Sequence, residues 1–228
     1  MNFIGDSLSM AIGLLTSLDR DVYGAVWVTL WVGVWSIALA ALMGVPLGLL
    51  VGLCRFPLRS TVVTLLNTLM ALPTVVVGLV VYGLISRQGP LGELGLLFTP
   101  QAMMLGQTLL AIPIVANYTL NTIQGADPRI MPTALSLGGT RLQGMLLLIS
   151  EVRFGIMAAL IAGFGRVISE VGVAMMLGGN IRDYTRTMTT AIALETSKGE
   201  FGFGLALGLV LMGVALLVNL LLHVIQQR

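Results

Sequence analysis

Arg166 and Glu170 stand four residues apart in "GFGRVISEVG", with apolar sequence on both sides. On a helix that spacing puts two side chains on one face, within reach of each other. A charged side chain at the centre of a bilayer costs about 2.5–3.5 kcal/mol on insertion scales, so such groups face a protein interior or an aqueous cavity. Ala159, Gly163, Arg166, Glu170 and Val173 make a small and polar stripe, whereas Leu160, Phe164, Val167 and Val171 are apolar. The stripe has two readings. It lines a pathway or holds its two halves together, or it is a structural pair whose charges neutralise each other.

A second donor-rich stretch follows, "GGNIRDYTRTMTTAIALETSKGEF". Its hydroxyls, amides, arginines and backbone N–H groups suit an anion, with Asn180 and Thr187 the foremost candidates. A helix starting near Asn180 would add the positive end of its dipole. The alternatives are a solvated loop, an outer gate or a contact with another protein.

The third stretch is "GADPRIMPTALSLGGTRLQG", residues 125–144, set between two of the most apolar runs. Asp127 can cap a helix and Pro128 can take its first position, while Pro132 is expected to force a restart. Residues 133–137 then form a short helix that Gly138-Gly139 ends. Ile130, Met131, Leu135 and Leu137 would give it an apolar face, the kind that enters a groove on another protein.

Other chemistry finds no support. The sole lysine, Lys198, follows Thr196-Ser197 with no phosphate-cradling loop before it, so the chain has no ATP-binding motif of the P-loop type. The lone His223 has no ligand partners nearby, which leaves neither a metal site nor a general base. No nucleophile motif surrounds the serines. The single Cys54 cannot form an internal disulfide. The chain is expected not to be an enzyme and to bind no cofactor.

These residues sit in a chain that is 57% hydrophobic and 10% charged, against about 25% charged in soluble proteins. Mean hydropathy is +0.98. A net charge of +2 gives no reason to expect nucleic acid. The bilayer is the expected solvent. Five stretches, near 25–53, 62–85, 102–120, 154–177 and 203–224, are apolar over the roughly 20 residues a helix needs to span. Pro46, Pro73 and Pro113 fall inside three of them, as membrane helices tolerate. Gly202, Gly204, Gly208 and Gly213 would let the last helix pack closely.

The expected fold is an all-α integral membrane protein, one permease-like domain over 1–228, with about five transmembrane helices. Residues 1–24 are read as an interfacial segment without a cleavable leader, and 121–153 as a cytoplasmic loop. One helix over 140–177 would be about 57 Å long, nearly twice the hydrocarbon core, so a bend is expected at Gly155 or within 150–153. Arg55, Arg59, Arg129, Arg141, Arg153 and Arg228 would lie inside, against Arg20, Arg87, Arg182, Arg186 and Lys198 outside. The basic residues thus place the N-terminus outside and the C-terminus in the cytoplasm of a plasma or inner membrane.

"TALSLGG", followed by "GFGRVISEVG", resembles the cytoplasmic loop and following helix of ABC-importer permeases, in the branch that handles sulfate, molybdate and tungstate. Gly138 aligns with the loop's glycine and Ala134 with its second alanine, while Pro132 and Thr133 replace the expected acid and first alanine. The run from Glu151 to Gly208, "EVRFGIMAALIAGFGRVISEVG" onward, is similar to tungstate-type permeases. The resemblance implies that Met131, Pro132, Thr133, Ala134, Leu135, Gly138 and Arg141 form a coupling helix and its flank, docking on a cytoplasmic ATPase. It further implies a homodimer that encloses the pathway. An ATP-binding subunit using ATP and magnesium and an external substrate-binding protein complete the implied assembly. In that setting Gly163, Arg166, Glu170, Asn180 and Thr187 are the pathway or intramembrane polar candidates.

Two rivals remain at this level. A secondary transporter or channel would use Arg166 and Glu170 as an ion or proton relay, but it predicts internal repeats that the chain does not display. A non-transporting scaffold would leave the charges inside the membrane unexplained.

Overall fold

The computed structural model describes residues 3–17, 19–54 and 56–226. Arg55 and Arg228, used above for orientation, lie outside the described residues, as does the side chain of His223. Eleven α-helices and one 3-10 turn (Gly92–Leu94) make up the secondary structure among these residues.

The first helix, α1 (Phe3–Thr16), has 14 residues. At 1.5 Å per residue it is about 21 Å long, short of a bilayer crossing. Asp19 then caps α2 (Arg20–Leu53), its carboxylate accepting the N–H groups of Asp21 and Val22 at 2.9 and 3.1 Å. With 34 residues α2 is long and apolar enough to cross a membrane, and Pro46 lies inside it.

α2 packs against α5 (Pro100–Gln124), the most buried of the three unbroken spans. Gly44, Gly48 and Gly52 recur every fourth residue, so one groove runs down the contact face of α2. A Cβ at Gly48 would stand 2.5 Å from the Ala116 carbonyl oxygen and 2.7 Å from Thr119 Cβ. The two backbones touch there, and nothing larger than glycine fits. Polar links add to this contact: Ser36 Oγ donates to Gln107 Oε1 at 3.3 Å, and Thr108 Oγ1 donates to the Ser36 carbonyl at 3.3 Å.

The expected second span, 62–85, is not one helix. It breaks into α3 (Arg59–Met70) and α4 (Thr74–Ile85), bent by 96°. Pro73 is the cause: it has no N–H to give and drives the preceding Leu72 out of the helical region. Pro113 sits inside the intact α5, which is gripped by α2 on one side and by α8 (Arg153–Ile168) on the other.

The connection after α5 holds two short helices, α6 (Ile130–Ser136) and α7 (Arg141–Glu151). α7 meets α8 at 57° with the break at Val152, inside the stretch where the length argument requires a bend. The expected fourth span, 154–177, is also divided. α8 ends at Ile168 and, after three intervening residues, the chain restarts as α9 (Gly172–Gly178). α10 (Met188–Lys198) and the last span, α11 (Phe201–Gln226), complete the chain.

α1 lies along α11, where a Cβ on Gly202 would come 2.5 Å from Met10 Sδ. Leu14 and Leu15 join a cluster with Val22, Met188, Ala191 and Leu207. Large apolar side chains also cover the outside, among them Trp27, Trp31 and Trp35 along α2, the first two stacked with centroids 6.2 Å apart and the last two edge to face at 5.6 Å. Such a surface needs lipid as its solvent.

Candidate functional site

At one end of the molecule α6 and α7 form a hairpin. The Arg129 N–H donates to Asp127 Oδ1 at 2.8 Å, so Asp127 shapes the turn into α6, while Arg129 itself occupies the cap position. Pro132 does not restart the helix as expected. It is the third residue of α6, where backbone N–H groups have no partner inside the helix, so its missing donor costs nothing. Met131 and Ala134 turn toward α7: a Cβ on Gly144 would be 2.5 Å from Met131 Sδ and 3.5 Å from Ala134 Cβ. Pro132, Thr133 and Leu135 face outward with Leu137, which is 83% exposed.

Gly138 ends α6 with φ +83°, and its N–H donates to the Leu135 carbonyl at 3.1 Å. Only glycine enters that region without strain. Nothing lies within 4 Å of where its Cβ would be, so the turn, not a close approach inside this chain, demands glycine. Thr140 then caps α7 in a reciprocal box with Gln143, and Arg141 is exposed at the first position of α7. Leu142, Leu146 and Leu147 are exposed on α7, whereas Leu148 and Val152 anchor the hairpin on Ile123 of α5. The result is a rigid hairpin with an uncovered apolar face.

Deeper in the molecule, Arg166 Nη1 donates to Glu170 Oε2 at 2.7 Å. The two residues do not share a helix. Arg166 is in the last turn of α8, whereas Glu170 lies in the gap before α9. There its Oε1 accepts the Val173 N–H at 3.2 Å, and its backbone carbonyl accepts from Thr189 Oγ1 at 2.8 Å. Glu170 therefore closes the start of α9 as a capping residue would. The Glu170 side chain is 4% exposed and that of Arg166 39%. The pair is one-sided: its anion is sealed in and its cation is partly open. Gly163, another member of the stripe, is packed shut, since a Cβ there would stand 2.7 Å from Ile37 Cδ1 of α2.

Asn180 does not begin a helix. It follows Gly179, which ends α9 with φ +68°, and has a positive φ of its own, 52°. Its side chain ties back to α10 instead, accepting from Thr190 Oγ1 at 2.9 Å. Thr187 caps α10 through Thr190, and the Met188 N–H donates to Thr29 Oγ1 of α2 at 2.8 Å. Thr185, Thr187, Thr189 and Thr190 are buried, whereas residues 181–184 form an exposed turn, so only the threonine part of the stretch is withdrawn from solvent. Their hydroxyls bond one another, the Asn180 side chain and the Gly178 and Glu170 carbonyls, so they are satisfied inside the protein.

Arg182 is committed as well, its Nε donating to Asp21 Oδ1 at 2.8 Å. That hydrogen bond and the neighbouring negative charge push the guanidinium above its usual range. Among the described residues no group of three His, Cys, Asp or Glu side chains is placed to hold a metal ion.

Sequence reasoning missed one constellation. Asn117 Nδ2 of α5 donates to Asn67 Oδ1 of α3, and Asn121 Nδ2 donates to Asn117 Oδ1 at 3.0 Å. Asn117 is buried while Asn67 and Asn121 are exposed. The available signal was an amide standing alone in an apolar run, at Asn67 and again at Asn117.

No protein-family model matches the chain. A probable anion ABC transporter permease of Haloferax volcanii is 44% identical over 199 residues, covering 85% of this chain and 86% of that protein. The tungstate uptake system permease of Campylobacter jejuni is 42% identical over 223 residues, covering 98% and 93%. Among solved structures, a chain of a bacterial ABC transporter that imports the acidic polysaccharide alginate superposes with a TM-score of 0.74. It is 18% identical, with coverage of 100% of this chain and 90% of that one, so it speaks for the fold alone.

Proposed function

The chain belongs to the permease subunits of ABC transporters, in the branch that includes anion and tungstate permeases, and on that premise we propose that two copies form the route by which tungstate or a related oxyanion is imported at the expense of ATP. The observation that carries this reading is the hairpin of α6 and α7. It is a capped, anchored element that leaves Leu135, Leu137, Leu142 and Leu146 uncovered at one end of a membrane protein. Exposed leucines on rigid short helices need a partner with a complementary groove. An ATPase domain docked there transmits its closure to the spans through Leu148 and Val152, which seat the hairpin on α5.

The hairpin end then faces the cytoplasm, with the N-terminus outside and the C-terminus inside. This chain has no phosphate-binding loop, so ATP and magnesium are held by the partner. Its few spans enclose a route poorly by themselves, whereas a two-fold pair makes an interfacial pathway with two coupling hairpins. Rocking of the two subunits as the ATPase domains close gives alternating access. The Arg166 guanidinium, open on one side and neutralised on the other by Glu170, attracts a passing anion without trapping it. High affinity then resides in an external binding protein.

The test is reconstitution into liposomes with the ATPase and the binding protein. Tungstate uptake should require ATP and all three components. The permease alone should neither hydrolyse ATP nor take up tungstate in a proton or sodium gradient. Robust gradient-driven uptake by the permease alone would replace this reading with that of a secondary transporter.

A further inference from the structure

Helix α3 has three faces. Leu66 is turned into the protein, Leu58 and Leu65 are exposed and apolar, and Ser60, Thr64 and Asn67 are exposed and polar, flanked by the exposed Thr61 and Thr68. At about 100° per residue, Ser60, Thr64 and Asn67 fall within a roughly 60° arc, well separated from Leu58 and Leu65. Lipid covers the leucines. It does not cover the polar arc, because amides and hydroxyls without partners are expelled from hydrocarbon.

The amides beside this arc are joined head to tail. Asn121 donates to Asn117, and Asn117 donates to Asn67. Each link consumes one N–H and one carbonyl, so the ladder has a donor end and an acceptor end. The donor end is Asn67: its oxygen is taken by Asn117, and no hydrogen bond from its own amide N–H groups is found among the described residues. It is also the exposed end on α3, three residues before the helix stops at Met70 ahead of the Pro73 break.

We infer that the Asn67–Asn117–Asn121 ladder lines the water-filled part of the route between the membrane interior and the hairpin end, and that the Asn67 amide N–H groups are a transient donor site for a tetrahedral oxyanion. The inference rests on the proposed permease function and adds to it the wall along which the anion leaves. Neutral donors suit this place. They bond an oxyanion through N–H groups without the strong attraction that a second uncompensated arginine would exert.

Asn67→Asp separates a transport role from a packing role. The carboxylate keeps an oxygen to accept from Asn117, so the contact between α3 and α5 survives, but it replaces the exposed donor with a negative charge. In proteoliposomes holding permease, ATPase and binding protein, initial tungstate uptake should fall at least tenfold, with assembly and thermal stability unchanged. Uptake at the wild-type rate would overturn the inference. A second arm needs no transport. In a Cys54→Ala background, Asn67→Cys should react with an anionic, membrane-impermeant thiol reagent added from the hairpin side. Reaction with a lipid-soluble maleimide only, or with neither reagent, would also overturn it. Failure of the wild-type assembly to import tungstate would count against the proposed function, while the labelling arm still judges the water-lined face.

Discussion

Removing one member of the Arg166–Glu170 pair should cost nearly as much as removing both. In Arg166→Ala the Glu170 carboxylate, 4% exposed, keeps only the Val173 N–H as a side-chain partner. Breaking a buried pair from one side costs about 3–5 kcal/mol. The Arg166 side chain is 39% exposed, so solvent already screens part of the attraction, and the expectation falls to about 2 kcal/mol. Glu170→Ala strands a cation that can still reach water and also removes the acceptor at the start of α9, a capping loss of about 1 kcal/mol. Its total should again be near 2 kcal/mol. The double variant loses the cap and some packing but strands no charge, so it too should cost about 2 kcal/mol, leaving a coupling energy of about 2 kcal/mol. That is roughly a 30-fold difference in the unfolding equilibrium constant between the double variant and the sum of the singles. Equilibrium unfolding of the four proteins in bicelles measures it. Singles that add up to the double within about 0.5 kcal/mol would refute the coupling. Uptake separates the roles further. Arg166→Ala should abolish it and Glu170→Gln should be milder, whereas normal uptake by Arg166→Ala at normal abundance would remove the guanidinium from the pathway.

Gly138→Trp should strand a non-glycine residue at φ +83° and place its bulk where no atom of this chain lies. Co-purification of the ATPase or substrate-stimulated ATP hydrolysis should fall while the permease stays folded. Gly138→Asn, which tolerates that region, should retain both, and unchanged values for the Trp variant would sink the coupling role. Gly48→Ala should cost about 1–3 kcal/mol, because its Cβ meets backbone at 2.5 Å. Gly208→Ala, with nothing within 4 Å, should be neutral or slightly stabilising by thermal unfolding. Thr187→Ala should cost about 0.5–2 kcal/mol as a lost cap of α10, and Thr187→Ser should recover most of it. Equal melting temperatures for the two Thr187 variants would remove the cap from the account.

The spans were legible because hydropathy is a sum over about 20 residues and survives local error. The bend at Val152 followed from length alone, and the Gly138 stop followed from the rarity of positive φ. The breaks inside the membrane were not legible. An apolar run continues across Glu170 without a change of period, and only the cap it gives α9 shows that a new helix begins there. Pro73 breaks its span whereas the exposed Pro46 and the buried Pro113 lie inside intact helices, a difference that proline chemistry alone does not foretell. Asn180 misled for a related reason. A polar residue after two glycines looks like a cap, yet here it follows a helix end and spends its amide on Thr190. The asparagine ladder joins positions 50 residues apart and exists only once α3 lies on α5.

On the proposed reading, the partners that the polar groups already hold narrow the route. Ser36, Gln107 and Thr108 hold α2 to α5. Asn180, Thr187, Thr189 and Thr190 hold α10 to the end of α9 and to Glu170. Glu170 is enclosed by Arg166, Val173 and Thr189. These groups satisfy one another and have little left for a substrate. The outer side of the Arg166 guanidinium and the donor end at Asn67 remain open among the described residues, and the buried Thr119 Oγ1 and Arg186 Nε have no hydrogen-bond partner there either. On that reading, an oxyanion meets a half-neutralised cation at Arg166 and neutral N–H groups at Asn67, fewer donors than a tight anion site assembles. On the proposed reading the membrane subunit therefore selects weakly and releases readily, and exchanging tungstate for molybdate or sulfate should alter transport mainly through the binding protein. Uptake compared across the three anions with one permease and exchanged binding proteins measures this. A preference that follows the permease would mean that a tighter site forms between the two copies.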